Sequence, residues 1–168
     1  MHVSRKIEYM IKVLFMDVDG TLTDGKIYMG ANGELCKVFN IKDGCGIGVI
    51  LRQAGIEPII ITGRSSQILE NRCREIGITS LYQGVDNKLK KMSELLRARG
   101  MGLEEAAYIG DDINDLECME AIRDGGGIVG CPGDAVKKVK AYSHFVAEHA
   151  GGDGAVRDFI EWICQDGL

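Results

Sequence analysis

Val13, Leu14, Phe15 and Met16 form a short run with no polar alternation, and the run stops abruptly at Asp17. A strand with one wet face alternates apolar and polar side chains, so an unbroken apolar run calls for cover on both faces. Residues 12–18 are therefore expected to form a buried strand. Further strand-like runs occur at 57–61, 81–82, 106–109, 127–129 and 144–146, with helical patterns between them. Ile68, Leu69, Cys73 and Ile76 form one apolar stripe that closes at Gly77. Leu89, Met92, Leu95 and Leu96 form another that closes at Gly100. Stripes at this spacing, each ended by glycine, mark core-facing helices. Strand alternating with helix predicts an α/β fold: a three-layer, doubly wound parallel sheet of Rossmann type, which carries its ligands at the carboxyl ends of its strands.

One segment breaks the alternation. Residues 26–29 and 34–39 are strand-like and flank Gly30-Ala31-Asn32-Gly33, a hairpin signal. An isolated hairpin is marginal in water, so the 26–39 hairpin is expected to project from the exit of the first strand and pack against something, with another subunit as the candidate. The 168 residues, 45% of them hydrophobic, suffice for one buried core and not for two ordinary domains. Residues 1–168 are accordingly read as a single domain. The net charge of -5 and the lack of a Lys/Arg cluster argue against nucleic-acid binding. Residues 1–10 carry His2, Arg5, Lys6 and Glu8, and the apolar run after them is too short for a signal peptide or a membrane span. The expectation is a cytoplasmic protein with no membrane partner. Six cysteines lie far apart without metal-ligand spacing and are read as reduced thiols.

The chemistry-bearing residues fall just after the strands. DVDGTLTDG, residues 17–25, puts the carboxylates of Asp17 and Asp19 two positions apart, with Gly20 allowing a tight turn. Acids at a strand end can simply cap a loop. Thr62-Gly63-Arg64 follows the second parallel strand and offers a hydroxyl and backbone N–H groups before a helix, a weak anion signal by itself. Lys88 opens a later helix, and alone it reads as a solvated lysine. GDDIND, residues 110–115, collects Asp111, Asp112 and Asp115 in one loop, more negative charge than a loop gathers without a cation. Strand ends are neighbours in a parallel sheet, so these pieces converge. Magnesium takes oxygen ligands and keeps several waters, so Asp17, the carbonyl of Asp19 and Asp111 would suffice from the protein.

In this order DxDGT, TGR, Lys88 and GDDxxD resemble the haloacid dehalogenase superfamily of phosphatases, and the match covers nearly the whole chain. That resemblance implies an Mg2+-dependent phosphomonoester hydrolase in which Asp17 attacks phosphorus and forms an aspartyl-phosphate. Asp19 would protonate the leaving alcohol and then deprotonate the hydrolytic water. Thr62 and Lys88 would hold the phosphoryl oxygens, Asp115 would orient Lys88 or the metal's waters, and Asp112 would support the loop. The closer resemblance is to the small capless branch, the 3-deoxy-D-manno-octulosonate 8-phosphate phosphatases of lipopolysaccharide precursor synthesis. It is carried by DVDGTLTDGKIYM, KVFNIKDGCGI, ITGRSSQILENRCREIGI, LYQGVDNK and GGDGAVRDF. In that branch Asn40, Ile41, Lys42, Asp43, Gly44, Arg64 and Arg72, with Asp19 and Lys88, are expected to contact the phosphorylated sugar acid. Arginine suits such groups because its planar fork binds them in a bidentate way.

Spacing supports the capless reading independently. A hairpin and one helix fit between Asp19 and Thr62, and a helix and a short strand between Arg64 and Lys88, so neither interval holds a lid. The resemblance implies a homotetramer in which a neighbour covers the site and the C-terminal tail contributes; read alone, Gly151-Gly152-Asp153-Gly154 is equally a flexible turn before a last helix. The same chemistry on a nine-carbon keto-deoxy sugar acid 9-phosphate is the nearest alternative. A phospho-accepting receiver domain places its acidic pair and acceptor in the opposite order, and a non-catalytic sugar-phosphate binding module would be expected to lack a catalytic position.

Overall fold

The computed structural model describes residues 11–164, so the reading of residues 1–10 lies outside it. The first strand, β1, is Val13–Met16. Hairpin strands β2 (Tyr28–Gly30) and β3 (Gly33–Cys36) follow. Then come α1 (Ile41–Cys45), a π-helical turn (Gly46–Leu51) and α2 (Arg52–Ala54), which together are the helix expected before β4 (Glu57–Ile61). The alternation continues through α3 (Gln67–Ile76), β5 (Ser80–Tyr82), α4 (Lys88–Arg99) and β6 (Ala106–Ile109). It ends with α5 (Leu116–Asp124), β7 (Ile128–Cys131), α6 (Lys137–Tyr142), β8 (Phe145–Val146) and α7 (Ala155–Ile163).

Six strands form one sheet in the order β5-β4-β1-β6-β7-β8, and every neighbouring pair is parallel. Period-two alternation sends Leu14, Met16, Ile60 and Ile109 to one face, against Leu51, Leu69, Val156 and Phe159. Val13, Phe15, Ile59 and Tyr108 face the other way, against Met92, Leu96, Met119 and Ile122. Both faces of β1 are thus covered, which is why its sequence shows no alternation. Burying each such large side chain stabilises the fold by about 1.5–3 kcal/mol. Both α3 and α4 close at glycines in the left-handed region, Gly77 at φ 79° and Gly100 at φ 65°, as their stripes predict.

Register decides where the chemistry lies. Met16 stands beside Ile60 of β4 and Ile109 of β6, so the residues that follow all three leave the same edge of the sheet. The chain turns sooner than the 12–18 reading, because the Val18 carbonyl accepts from the backbone N–H groups of Thr21, Leu22 and Thr23 at 3.1, 2.8 and 3.1 Å.

The hairpin ladder is shorter than the 26–39 reading, pairing Tyr28–Gly30 with Gly33–Cys36. Ile27, Met29, Leu35 and Val38 are exposed by 41, 60, 68 and 53%, whereas Phe39 packs against the core. All six cysteines are free thiols. Among the described residues no helix is long and apolar enough to cross a membrane.

Candidate active site

Asp17 leaves β1 buried, with its backbone N–H donating to the Ile109 carbonyl at 3.1 Å. Lys88 is the first residue of α4, where the Asn87 side chain caps the helix by accepting from the Lys90 N–H at 2.8 Å. Its stem passes inward, and Nζ donates to Asp17 Oδ1 and to Asp115 Oδ1, each at 2.8 Å. Asp115 is wholly buried. Its Oδ1 also accepts from the Tyr108 hydroxyl at 2.7 Å, while its Oδ2 accepts the backbone N–H groups of Asp111 and Asp112 at 3.1 and 3.4 Å. Both oxygens are therefore occupied by donors, and Asp115 holds Lys88 and the 110–115 loop in place.

Asp111, from the loop after β6, accepts from the Thr21 hydroxyl at 3.0 Å. Gly20, at φ 93°, lets the first loop approach it, since a side-chain carbon there would overlap the Asp111 carboxylate. One oxygen each from Asp17, Asp111 and Asp115 lie within 4.8 Å of one another. Three carboxylates against the single ammonium of Lys88 leave an excess of two negative charges. Burial first, then the Asp115 charge, raises the Asp17 carboxyl to about 6 despite Lys88. Burial, followed by the charges of Asp17 and Asp115, raises Asp111 to about 7. For Lys88 burial opposes the charge, yet Asp17 and Asp115 outweigh it and hold the amine above the usual lysine range. A hard divalent cation fits this donor set: Asp17 and Asp111 could each offer it a carboxylate oxygen, whereas both Asp115 oxygens already accept hydrogen bonds.

A pH dependence follows. The folded values of Asp17 and Asp111 lie above the ordinary 3.8, so the native state binds more protons than the unfolded one. Their contribution to the metal-free protein is complete below about pH 4 and is lost as pH rises through about 6 to 7. Magnesium at a hundredfold excess over its Kd should return about 2.7 kcal/mol, about 5–10 °C of melting temperature in a chain of this size. The gain is expected at pH 8 and should shrink at pH 5. Melting curves with chelator and with magnesium at both pH values check this, and an equal gain at both would count against it.

The remaining expected residues divide into groups. Thr62 is buried at the end of β4, its N–H donating to the Tyr82 carbonyl at 3.0 Å, while Asp112 is exposed and caps its own turn. Arg64 is half exposed, with Nε 3.9 Å from Asp19 Oδ2. Asn40 caps α1 by accepting from the Lys42 N–H at 2.7 Å, leaving Ile41 and Lys42 exposed. Arg72 lies over the Phe39 ring at 5.8 Å, and a side chain at Gly44 would overlap its guanidinium. Asp43 faces inward: it is 2% exposed and accepts the Arg157 N–H at 2.9 Å, tying α1 to α7.

The glycine-rich segment 151–154 is packed. Gly152 donates to the Thr21 carbonyl at 3.1 Å, and a side chain at Gly151 would overlap Gly20, so the tail seats on the loop that carries Asp17 and Asp19 in its own chain. Sequence reasoning missed Thr21, Tyr108, Glu34 and Lys37. Thr21 and Lys37 sit inside quoted stretches, DVDGTLTDG and KVFNIKDGCGI; Glu34 and Tyr108 reach the site from strands, with no local signal.

No protein-family model matches the chain. It is 45% identical over 162 residues to the 3-deoxy-D-manno-octulosonate 8-phosphate phosphatase of Salmonella typhi, covering 96% of this chain and 83% of that protein. The crystal structure of the Yersinia pestis enzyme of that name is 40% identical, with a TM-score of 0.85 over 94% of this chain and 82% of that one. The Moraxella catarrhalis enzyme, solved with magnesium, phosphate and the sugar acid, is 38% identical, with a TM-score of 0.86 over 94% of this chain and 87% of that one.

Proposed function

The chain belongs to the 3-deoxy-D-manno-octulosonate 8-phosphate phosphatase family of haloacid dehalogenase-like hydrolases, and we propose that its residues divide the family's reaction as follows. The enzyme is a magnesium-dependent phosphomonoesterase that converts the 8-phosphate to the free sugar acid and phosphate. The observation that carries the site assignment is the buried Asp17–Lys88–Asp115 ion triad beside Asp111 at the edge of a parallel sheet. Asp17, its Oδ1 held by Lys88, is the nucleophile. Asp19, two residues on and partly exposed, gives its proton to the leaving oxygen and later takes one from water. Thr62 and Lys88 hold the phosphoryl oxygens, with Asp112 and Asp115 in support. Asn40, Ile41, Lys42, Gly44, Arg64 and Arg72 meet the sugar acid, and Asp43 holds that loop from behind. Magnesium, bound by Asp17, the Asp19 carbonyl and Asp111, would neutralise the phosphoryl oxygens.

A phosphate-release screen over sugar phosphates tests the reading. Turnover with magnesium should be highest on the eight-carbon sugar acid, and preference for a nine-carbon acid 9-phosphate would move the assignment.

Residues 1–168 act as one domain in a cytoplasmic homotetramer, with the hairpin as the contact. The exposed apolar side chains of Ile27, Met29, Leu35 and Val38 support this, because a two-stranded ribbon cannot bury them itself. Val38→Asp or Leu35→Asp should dissociate the assembly and lower kcat/KM on the sugar phosphate by about tenfold, about 1.4 kcal/mol of transition-state binding. Sedimentation and steady-state kinetics on the same samples check both; a fully active wild-type monomer would refute the shared site.

A further inference from the structure

The hairpin does more within its own chain than present an outer face. At its exit Lys37 turns inward, its side chain only 4% exposed, and Nζ lies 2.5 Å from Asp19 Oδ1 and 3.0 Å from Glu34 Oε1. Glu34, on β3, is anchored in turn: it accepts from the Ser66 hydroxyl at 2.8 Å and from Arg64 Nη2 at 3.3 Å. Asp19 is thus gripped at one oxygen by a buried ammonium, with the Arg64 guanidinium 3.9 Å from the other. A solvated surface lysine loses side-chain entropy by such confinement and gains little from the ion pair, so a buried, doubly paired one marks a constrained position.

We propose that Lys37 is a positioning residue for Asp19: it holds the carboxyl group in the one orientation from which a proton passes to the leaving group. This rests on the acid/base reading of Asp19. In the step concerned, the bond from Asp17 to phosphorus forms as the phosphorus–oxygen bond to the sugar breaks. The Asp19 proton moves to the departing oxygen, which leaves as an alcohol. Without Lys37 the Asp19 side chain rotates freely, and a misplacement of about 1 Å in such a group costs about 100-fold in rate.

The experiment compares two leaving groups in single-turnover formation of the phosphoenzyme. The sugar acid 8-phosphate needs a protonated leaving oxygen, whereas p-nitrophenyl phosphate releases a stable phenolate without one. Lys37→Met should slow the first by about 100-fold and the second by less than about fivefold, with KM for the sugar phosphate within about threefold of wild type. Lys37→Arg, which keeps the charge, should recover most of the loss. An equal loss on both substrates, or a raised KM at unchanged kcat, overturns the proposal in favour of a structural or substrate-binding role. Asp19→Asn is the reference. If it shows no leaving-group split, the acid/base reading itself fails; if it shows one and Lys37→Met does not, only the Lys37 proposal fails. Should Lys37→Met lack a native melting transition, Lys37→Ala, which likewise removes the contact to Asp19, is held to the same split.

Discussion

Asp17→Asn should fold, keep its assembly and lose phosphate release by about 10^4-fold or more, because an amide oxygen is a poor nucleophile toward phosphorus. The substitution is isosteric and leaves an oxygen for the Lys88 ammonium, 2.8 Å away in the native site. Its effect on stability separates it from misfolding. The wild-type cluster carries two more negative charges than positive ones, and Asn removes one of them. In chelator at pH 8 the variant should therefore melt above the wild type, while its gain from magnesium falls. Rapid-quench phosphate release and paired melting curves test both halves. Turnover near wild type would remove Asp17 from the mechanism.

Lys88→Met is expected to injure both folding and catalysis. Methionine follows the apolar stem of lysine but leaves Asp17 and Asp115 with no cation between them, in a place where Lys88 is 6% exposed and Asp115 not at all. Removing one partner of a buried ion pair costs about 3–5 kcal/mol. The loss should be greatest above about pH 7, where Asp17 and Asp111 would both be charged, and smaller at pH 5. Catalysis should fall by about 10^3-fold beyond any loss of folded protein, the order expected when one preorganised donor to a developing oxyanion is removed. The double variant Lys88→Met/Asp115→Asn should regain much of the stability and none of the activity, since the two sites share a contact. Urea unfolding at the two pH values, with kinetics on the folded fraction, decides the matter. A wild-type unfolding midpoint for Lys88→Met would mean that the triad contributes nothing.

Much of this was legible before any coordinates. The unbroken apolar run stopping at Asp17 marked the first buried strand, and the glycine-closed stripes marked two helices whose caps lie where expected. The pairing of Asp19 with Lys37 was not legible, because the hairpin is marked by its strand-like runs and glycine turn, and a lysine within it carries no periodic signal. Nor was the inward turn of Asp43, whose partner is 114 residues away. Read alone, the 151–154 segment is as much a flexible turn as a closing element; only the fold shows that a side chain at Gly151 would overlap Gly20 and one at Gly152 would overlap Thr23 and Asp24.

Taken by itself, the sequence determined which stretches are buried strands, in what order they come, and that carboxylates, a hydroxyl and a lysine follow them. Those properties are local: periodicity and turn chemistry act over a few residues and survive without knowledge of the partner. The tertiary structure alone decided which distant groups hold each acid in place. Asp111 and Asp115 stand in one loop with the same chemistry, yet Asp115 is engaged by Lys88, Tyr108 and two backbone N–H groups, while Asp111 accepts from the Thr21 hydroxyl and lies near Asp17. That difference arises from sheet register and from the direction in which α4 delivers Lys88, because hydrogen-bond partners of buried charges are set by packing between distant segments.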